Sequence, residues 1–165
     1  SEFLITEITL TAKQLQIPIA VDPKKKNFLS YKGVSLFKPN LKELKEGIKT
    51  EFEANDTLEL SRAVLKLEQE IEAEITFITL SELGVYLKST EFEGVIPAHK
   101  REIADVSGAG DTVISVAALC LALKTPHKIL AALSNLAGGL VCEELGVVPV
   151  NKQKLLTEAI KLLAN

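Results

Sequence analysis

The stretch that most constrains this chain is Asp105-Val106-Ser107-Gly108-Ala109-Gly110-Asp111-Thr112, which runs into Val113 to Leu123 without a further charge. An uncharged run of that length reads as one helix, Thr112 to Leu123, buried on most of its surface. The two glycines therefore stand at a helix N-terminus. The first backbone N–H groups of a helix have no partner inside it, and the dipole end there is positive. Gly108 and Gly110 lack a Cβ, so the backbone can bend tightly and approach a ligand. That combination is an anion site suited to a phosphate. Asp111 is the odd member. A carboxylate beside an anion repels it, unless it takes a proton from whatever attacks that anion. The loop is not a Walker A loop, because no Gly-Lys-Ser/Thr follows. It is a poor dinucleotide fingerprint, because Val113 stands where a third glycine belongs. A plain helix start, with Asp in a first turn that favours it, accounts for the same residues and stays open.

A length of 165 residues supports one domain with a real core. The net charge of −3 argues against a general nucleic-acid binder and a polybasic membrane patch. No apolar run is long enough for a membrane span, and no secretory leader is visible. Cys120 and Cys142 fall in apolar helical patterns. They read as buried thiols in a reducing compartment, and their spacing does not suit a metal. The chain opens Ser1-Glu2-Phe3 and has no Met, so it reads as a trimmed, tagged or partial piece of a longer protein.

In order, residues 5–16 suit an amphipathic helix with Ile8, Ala12 and Leu15 on one face. Ile17 to Val21 and Val34 to Phe37 suit short strands, and Asp22-Pro23 stops the first. Lys24-Lys25-Lys26 follows, either a solvated turn or, at a strand's C-terminal end, a contact for an anionic substrate. Leu41 to Ile48 is a helix opened by an Asn40/Glu43 capping box. Residues 50–56 read as loop. Thr57 to Ile71 is a helix with Leu58, Ala63 or Val64, Leu65 and Ile71 towards the core. Glu74 to Leu80 and Val85 to Lys88 form a hairpin about Ser81-Glu82-Leu83-Gly84, and Phe92 to Pro97 is one more strand. His127 to Glu144 and Lys152 to Leu163 complete the helices. Ser134-Asn135-Leu136-Ala137-Gly138-Gly139 is rich in small residues, suiting close helix packing or an adenine ring. The order gives an α/β fold, a mostly parallel sheet covered by helices.

Asp105 to Thr112 resembles the C-terminal signature of the ribokinase-like (PfkB) carbohydrate kinases, and the resemblance extends from about Ile17 to Val150. Phe37-Lys38-Pro39-Asn40, with Glu43, resembles the family's N-x-x-E element. Thr79-Leu80-Ser81-Glu82-Leu83-Gly84 resembles its T-x-G-x-x-G element, with Ser81 in place of the usual Gly. Members that phosphorylate heptose 7-phosphate carry that Ser-Glu variant. The resemblance implies a three-layer αβα fold, here the C-terminal nucleotide-binding half over residues 1–165. It implies ATP-dependent phosphorylation of a sugar hydroxyl, with Asp111 as base and the amides of Gly108, Ala109 and Gly110 as the anion hole. Asn40 and Glu43 would organise Mg²⁺ and its waters. Thr79, Ser81 and Gly84 would line the phosphates, and Asn135 and Gly138 the adenine side. Asp105 and Ser107 match positions where some relatives hold a monovalent cation such as K⁺, and Lys24 would meet the sugar phosphate. Such kinases are about twice this length, so the isolated chain is expected to be feebly active and to expose apolar surface. The full-length protein is expected to be cytoplasmic and homodimeric, acting on a small molecule rather than on nucleic acid or membrane. Another sugar or nucleoside as acceptor, a nucleotide-binding module without catalysis, and an inactive fold relic remain the alternatives.

Overall fold

The computed structural model describes residues 1–53 and 55–164. Five strands form one sheet in the order β1 (Ala20–Val21), β2 (Leu36–Phe37), β3 (Ile75–Thr79), β4 (Val85–Lys88), β5 (Glu93–Ile96). β1–β2 and β2–β3 pair in parallel, whereas β3–β4 and β4–β5 are antiparallel. The expected α/β class holds, but the sheet is mixed rather than mostly parallel. The cause is local: residues 81–84 make a tight 3₁₀ turn that sends the chain straight back. A parallel return would need a crossover of a dozen or more residues.

Strand alternation divides the apolar residues between two faces. Phe37, Ile78 and Tyr86 join one core with α2 (Leu41–Ile48) and α3 (Thr57–Ile71). Leu36, Ile75, Phe77, Val85 and Leu87 join the other with α4 (Ala109–Ala122) and α5 (His127–Val141). The result is three layers, αβα. A smaller apolar cluster seats α6 (Lys152–Leu163) on α5 through Leu136, Leu140 and Ala159.

Three faces differ from the sequence reading: the first is α4, expected to be buried on most of its surface, which buries Val113, Ala117 and Cys120 and exposes Leu119. On α3, Leu58 and Leu65 are exposed while Leu60 and Leu67 are fully buried beside Ala63, Val64 and Ile71. On α1 (Glu2–Gln14), Ile8 and Leu15 are exposed and Thr9 is the buried residue, because no element covers the apolar stripe. The loop expected over residues 50–56 flanks Ala54, which lies outside the described residues. The lysine-rich segment after β1 makes two short 3₁₀ turns within Lys25–Ser30, joined by a kink at Asn27, rather than a simple turn. Phe28 from it packs edge-on against Phe37 at 5.2 Å, which anchors the lysines to the core.

Candidate functional site

The site gathers where β1, β2 and β3 end and α4 begins. Gly108 is the N-cap of α4 in the left-handed region, φ 78°, ψ −2°. A side chain there would be strained, and a Cβ would stand 3.0 Å from Val147 Cγ1. This turn starts the helix at Ala109, three residues before the apolar pattern suggested. Thr112 N donates to Gly108 O at 2.9 Å, the first helical bond. Ala109 N donates weakly to Val106 O at 3.3 Å. Among the described residues, the amides of Gly108, Gly110 and Asp111 have no acceptor. Of the expected trio, Ala109 is turned back on the loop, whereas the Gly108 and Gly110 amides are open, and that of Asp111 is open beside them.

Asp111 is exposed and lies in the first turn of α4. The cap is Gly108, with no side-chain cap bond, and the bond printed for Asp111 is from its carbonyl, which accepts from Ser115 Oγ at 2.7 Å. Among the described residues its carboxylate has neither a hydrogen bond nor an ion pair. It therefore does not cap its own helix, although its place in the first turn is the one the helix dipole favours, so the plain helix start fits as well.

Lys38 is a residue that the sequence reading passed over. It follows β2 directly, and its side chain is 3% exposed. Nζ lies 3.5 Å from Asp22 Oδ1 and 3.9 Å from where a Cβ on Gly110 would stand. A buried ammonium with one long ion pair leaves donors unspent. Lys24 reaches the same Asp22 oxygen at 3.7 Å but is 77% exposed. Lys25 is paired with Glu46 at 3.0 Å. A separate cleft of about 380 Å³ lies between the Lys25–Ser30 segment and α2, bordered by Lys25, Lys26, Lys49 and Glu43. The only sequence signal for Lys38 was a lysine immediately after an apolar strand and before Pro-Asn.

Asn40 and Glu43 form the expected capping box. Glu43 N donates to Asn40 Oδ1, and Asn40 N donates to Glu43 Oε2, each at 2.8 Å. Glu43 keeps its second oxygen. Asn40 also bridges to Thr79 in parallel, which joins α2's start to the end of β3. Beyond Thr79, Ser81 adopts φ 54°. Glycine takes that conformation without strain, whereas serine spends on the order of 1 kcal/mol. Gly84, at φ 97°, has Ile96 O within 2.2 Å of a would-be Cβ. Both are backbone requirements of the turn.

The remaining candidates are committed to the fold. Asp105 Oδ1 accepts from Ser107 N at 3.0 Å and Ser107 Oγ at 2.8 Å, and Oδ2 accepts from Gly146 N at 3.0 Å. The Ser107 and Gly146 donors hold its carboxyl below the usual carboxylate range. Asn135 Nδ2 donates to Pro97 O at 2.9 Å. Gly138 is buried, and a Cβ there would stand 2.6 Å from Val113 Cγ2, so it serves the α4–α5 contact. Of the small-residue alternatives, helix packing is the one filled at Gly138. Cys120 and Cys142 are buried free thiols, and burial pushes both upward. Among the described residues, no cluster of three or more His, Cys, Asp or Glu can hold a metal.

Comparison with known proteins adds ancestry to this geometry. Residues 1–154 match the family model described as pfkB family carbohydrate kinase. The chain is similar to the bifunctional protein HldE of Campylobacter curvus, 34% identical over 92% of this chain and 32% of that protein. Similarity to HldE of Wolinella succinogenes is 42% identity over 82% of this chain and 28% of that protein. The chain thus spans about a third of the length of these curated relatives. Among solved structures it superposes on Escherichia coli phosphofructokinase-2 in complex with potassium. That match has TM-score 0.86 and 17% identity, covering 99% of this chain and 53% of that one. Thermotoga maritima ribokinase gives TM-score 0.70 and 18% identity over 91% of this chain and 51% of that one. At those identities the structural likeness establishes the fold alone.

Proposed function

Because the chain belongs to the pfkB family of carbohydrate kinases, we propose that it carries the phosphoryl-transfer half of an ATP-dependent sugar kinase. The acceptor class is a sugar phosphate such as heptose 7-phosphate. The observation that carries the reading is the left-handed turn at Gly108, which leaves the Gly110 and Asp111 amides open beside the buried Lys38 ammonium. The likeness to HldE proteins and the Ser81-Glu82 variant support the acceptor class.

In this reading the γ-phosphoryl group of ATP sits at the start of α4. Charge on its equatorial oxygens is met by the open amides and by Lys38. The exposed Asp111 carboxylate, with no partner of its own, accepts the proton of the attacking sugar hydroxyl. Thr79, Ser81 and Gly84 border the phosphates, and Asn135 on α5 borders the adenine. Residue by residue, the metal-binding donors also fit. Glu43 spends one oxygen on the cap and retains the other, and Asn40 stands beside it. Hard oxygens of this kind suit a Mg²⁺ that keeps most of its waters. The ion's contribution would be neutralisation of phosphate charge. Asp105 and Ser107 would offer oxygens to K⁺ only from lone pairs left over by the loop's own bonds. Lys24, exposed beside Asp22, would meet the acceptor's phosphate. The full protein would act in the cytoplasm, where ATP is supplied, and the open apolar stripe of α1 suits burial in a homodimer.

The test is ADP release by the full polypeptide with ATP, Mg²⁺ and a panel of sugars, nucleosides and sugar phosphates. Acceptor-dependent release with a sugar phosphate is expected. Nucleotide binding by calorimetry with no acceptor-dependent release would leave a binding module and overturn the proposal.

A further inference from the structure

Between Ile96 at the end of β5 and Gly108 the chain runs through a dozen residues without helix or strand. That segment fixes where the glycine turn stands, so what holds it matters. Its start packs on Gly84 of the β3–β4 turn, and among the described residues the hydrogen bonds that leave it go to the C-terminal layer. Pro97 O accepts from Asn135 of α5. Ala104 N and Asp105 N both donate to Cys142 O, at 2.8 and 3.2 Å. Asp105 accepts from Gly146 N. Between Pro97 and Ala104, among the described residues, the side chain that hydrogen-bonds outside the segment is Arg101.

The Arg101 side chain is 8% exposed. Nη1 donates to Glu143 Oε1 at 2.6 Å, just past α5, and Nη2 donates to Glu158 Oε2 on α6. Lys154 of α6 closes the group by donating to the other Glu143 oxygen. Two cations and two carboxylates therefore join three separate pieces of chain. The guanidinium passes over Gly139, where a Cβ would stand 3.1 Å from Nε. Burial opposes the charge on Arg101, and the hydrogen bonds to Glu158 and Glu143 outweigh it. Nε itself is buried without an acceptor. That cost is accepted at a position where an apolar side chain would pack at no such cost. Meanwhile α6 has a thin apolar seat, with Ala159 its one buried residue among those described. Charge, more than apolar area, ties α6 to the loop.

We propose that Arg101 is a positioning residue: by bridging Glu143 and Glu158 it sets the path of residues 97–108, and so the placement of the Gly110 and Asp111 amides and the Asp111 carboxylate. It touches neither nucleotide nor acceptor. Its catalytic consequence rests on the phosphotransferase reading above, whereas its effect on the loop does not.

The experiment is Arg101→Met in the full polypeptide, which keeps the stem over Gly139 and removes the charge. Misplacement of the loop by about 1 Å lowers kcat by roughly 10²-fold, with KM for ATP within about threefold. Both are measured well below the melting temperature. Added guanidinium ion restores part of the lost kcat, and urea does not. Independently of activity, hydrogen exchange at the Ala104, Asp105 and Gly146 amides accelerates by at least about tenfold, because those bonds close the loop. Glu158→Gln, which leaves Arg101 its Glu143 partner, gives a smaller change of the same kind and serves if Arg101→Met does not fold. Faster exchange at these amides in Arg101→Met, when the wild type itself phosphorylates nothing, supports the clamp and sinks the kinase reading. A lowered melting temperature with wild-type kcat and unchanged exchange overturns the inference.

Discussion

Replacing Lys38 by Met separates binding chemistry from stability. The Lys38 ammonium lies 3.9 Å from the Cβ position of Gly110 and is 3% exposed. A phosphoryl oxygen on the Gly110 amide that approaches Nζ to about 4 Å interacts with it, as unit charges at an effective dielectric constant of about 20, by about 4 kcal/mol. If about half of that arises only as charge shifts in the transition state, kcat falls roughly 30-fold. The whole of it appears in kcat/KM, a loss of roughly 10³-fold. Stability should move the other way or not at all. The substitution exchanges a buried charge for an apolar stem of similar length, and Asp22 keeps Lys24 at 3.7 Å. The assay is steady-state kinetics of the full polypeptide beside a thermal melt. Lys38→Arg, with a bulkier guanidinium in a tight space, should recover only part of the loss. Activity within threefold of wild type, or a large loss of melting temperature with it, would refute the argument that the ammonium is held for an anion.

Two further outcomes follow from the geometry. Gly84→Ala should destabilise by more than about 2 kcal/mol in denaturant titration, since its Cβ would meet Ile96 O at 2.2 Å with φ at 97°. Hydrogen bonds from Lys88 and Tyr86 hold the Glu93 carboxyl down, from the ordinary 4.5 to about 2. A depressed folded-state value contributes stability above the unfolded value that is lost as pH falls from about 4.5 towards about 2. Lys88→Met should therefore flatten the decline of melting temperature across that window while lowering the melting temperature at pH 7.

Much of this was legible in the chain wherever the signal is local. The bounds of α2, α3 and α6 were readable because Asn40, Asp56 and Asn151 each supply a cap to the following turn. The face of α3 was not. Leu58 and Leu65 are seven apart, and so are Leu60 and Leu67, so spacing alone admits either pair as the core pair. Only packing against the sheet selects Leu60 and Leu67. The glycine turn at the start of α4 was readable because its geometry is contained in consecutive residues. Lys38 was not, because its ammonium matters only through β2 and α4 coming together across some seventy residues of chain. Arg101 was invisible for the same reason, since its partners lie 42 and 57 residues away.

The account turns on Asp111 as the base beside an anion site, and Asp111→Asn in the full polypeptide tests it most directly. The two measurements are turnover on the sugar phosphate and the Kd of a non-hydrolysable ATP analogue with Mg²⁺. Turnover lowered by roughly 10²–10⁴-fold with the analogue's Kd within about threefold is the predicted result. Turnover within a few-fold of wild type would contradict it and leave the carboxylate a bystander at the helix start.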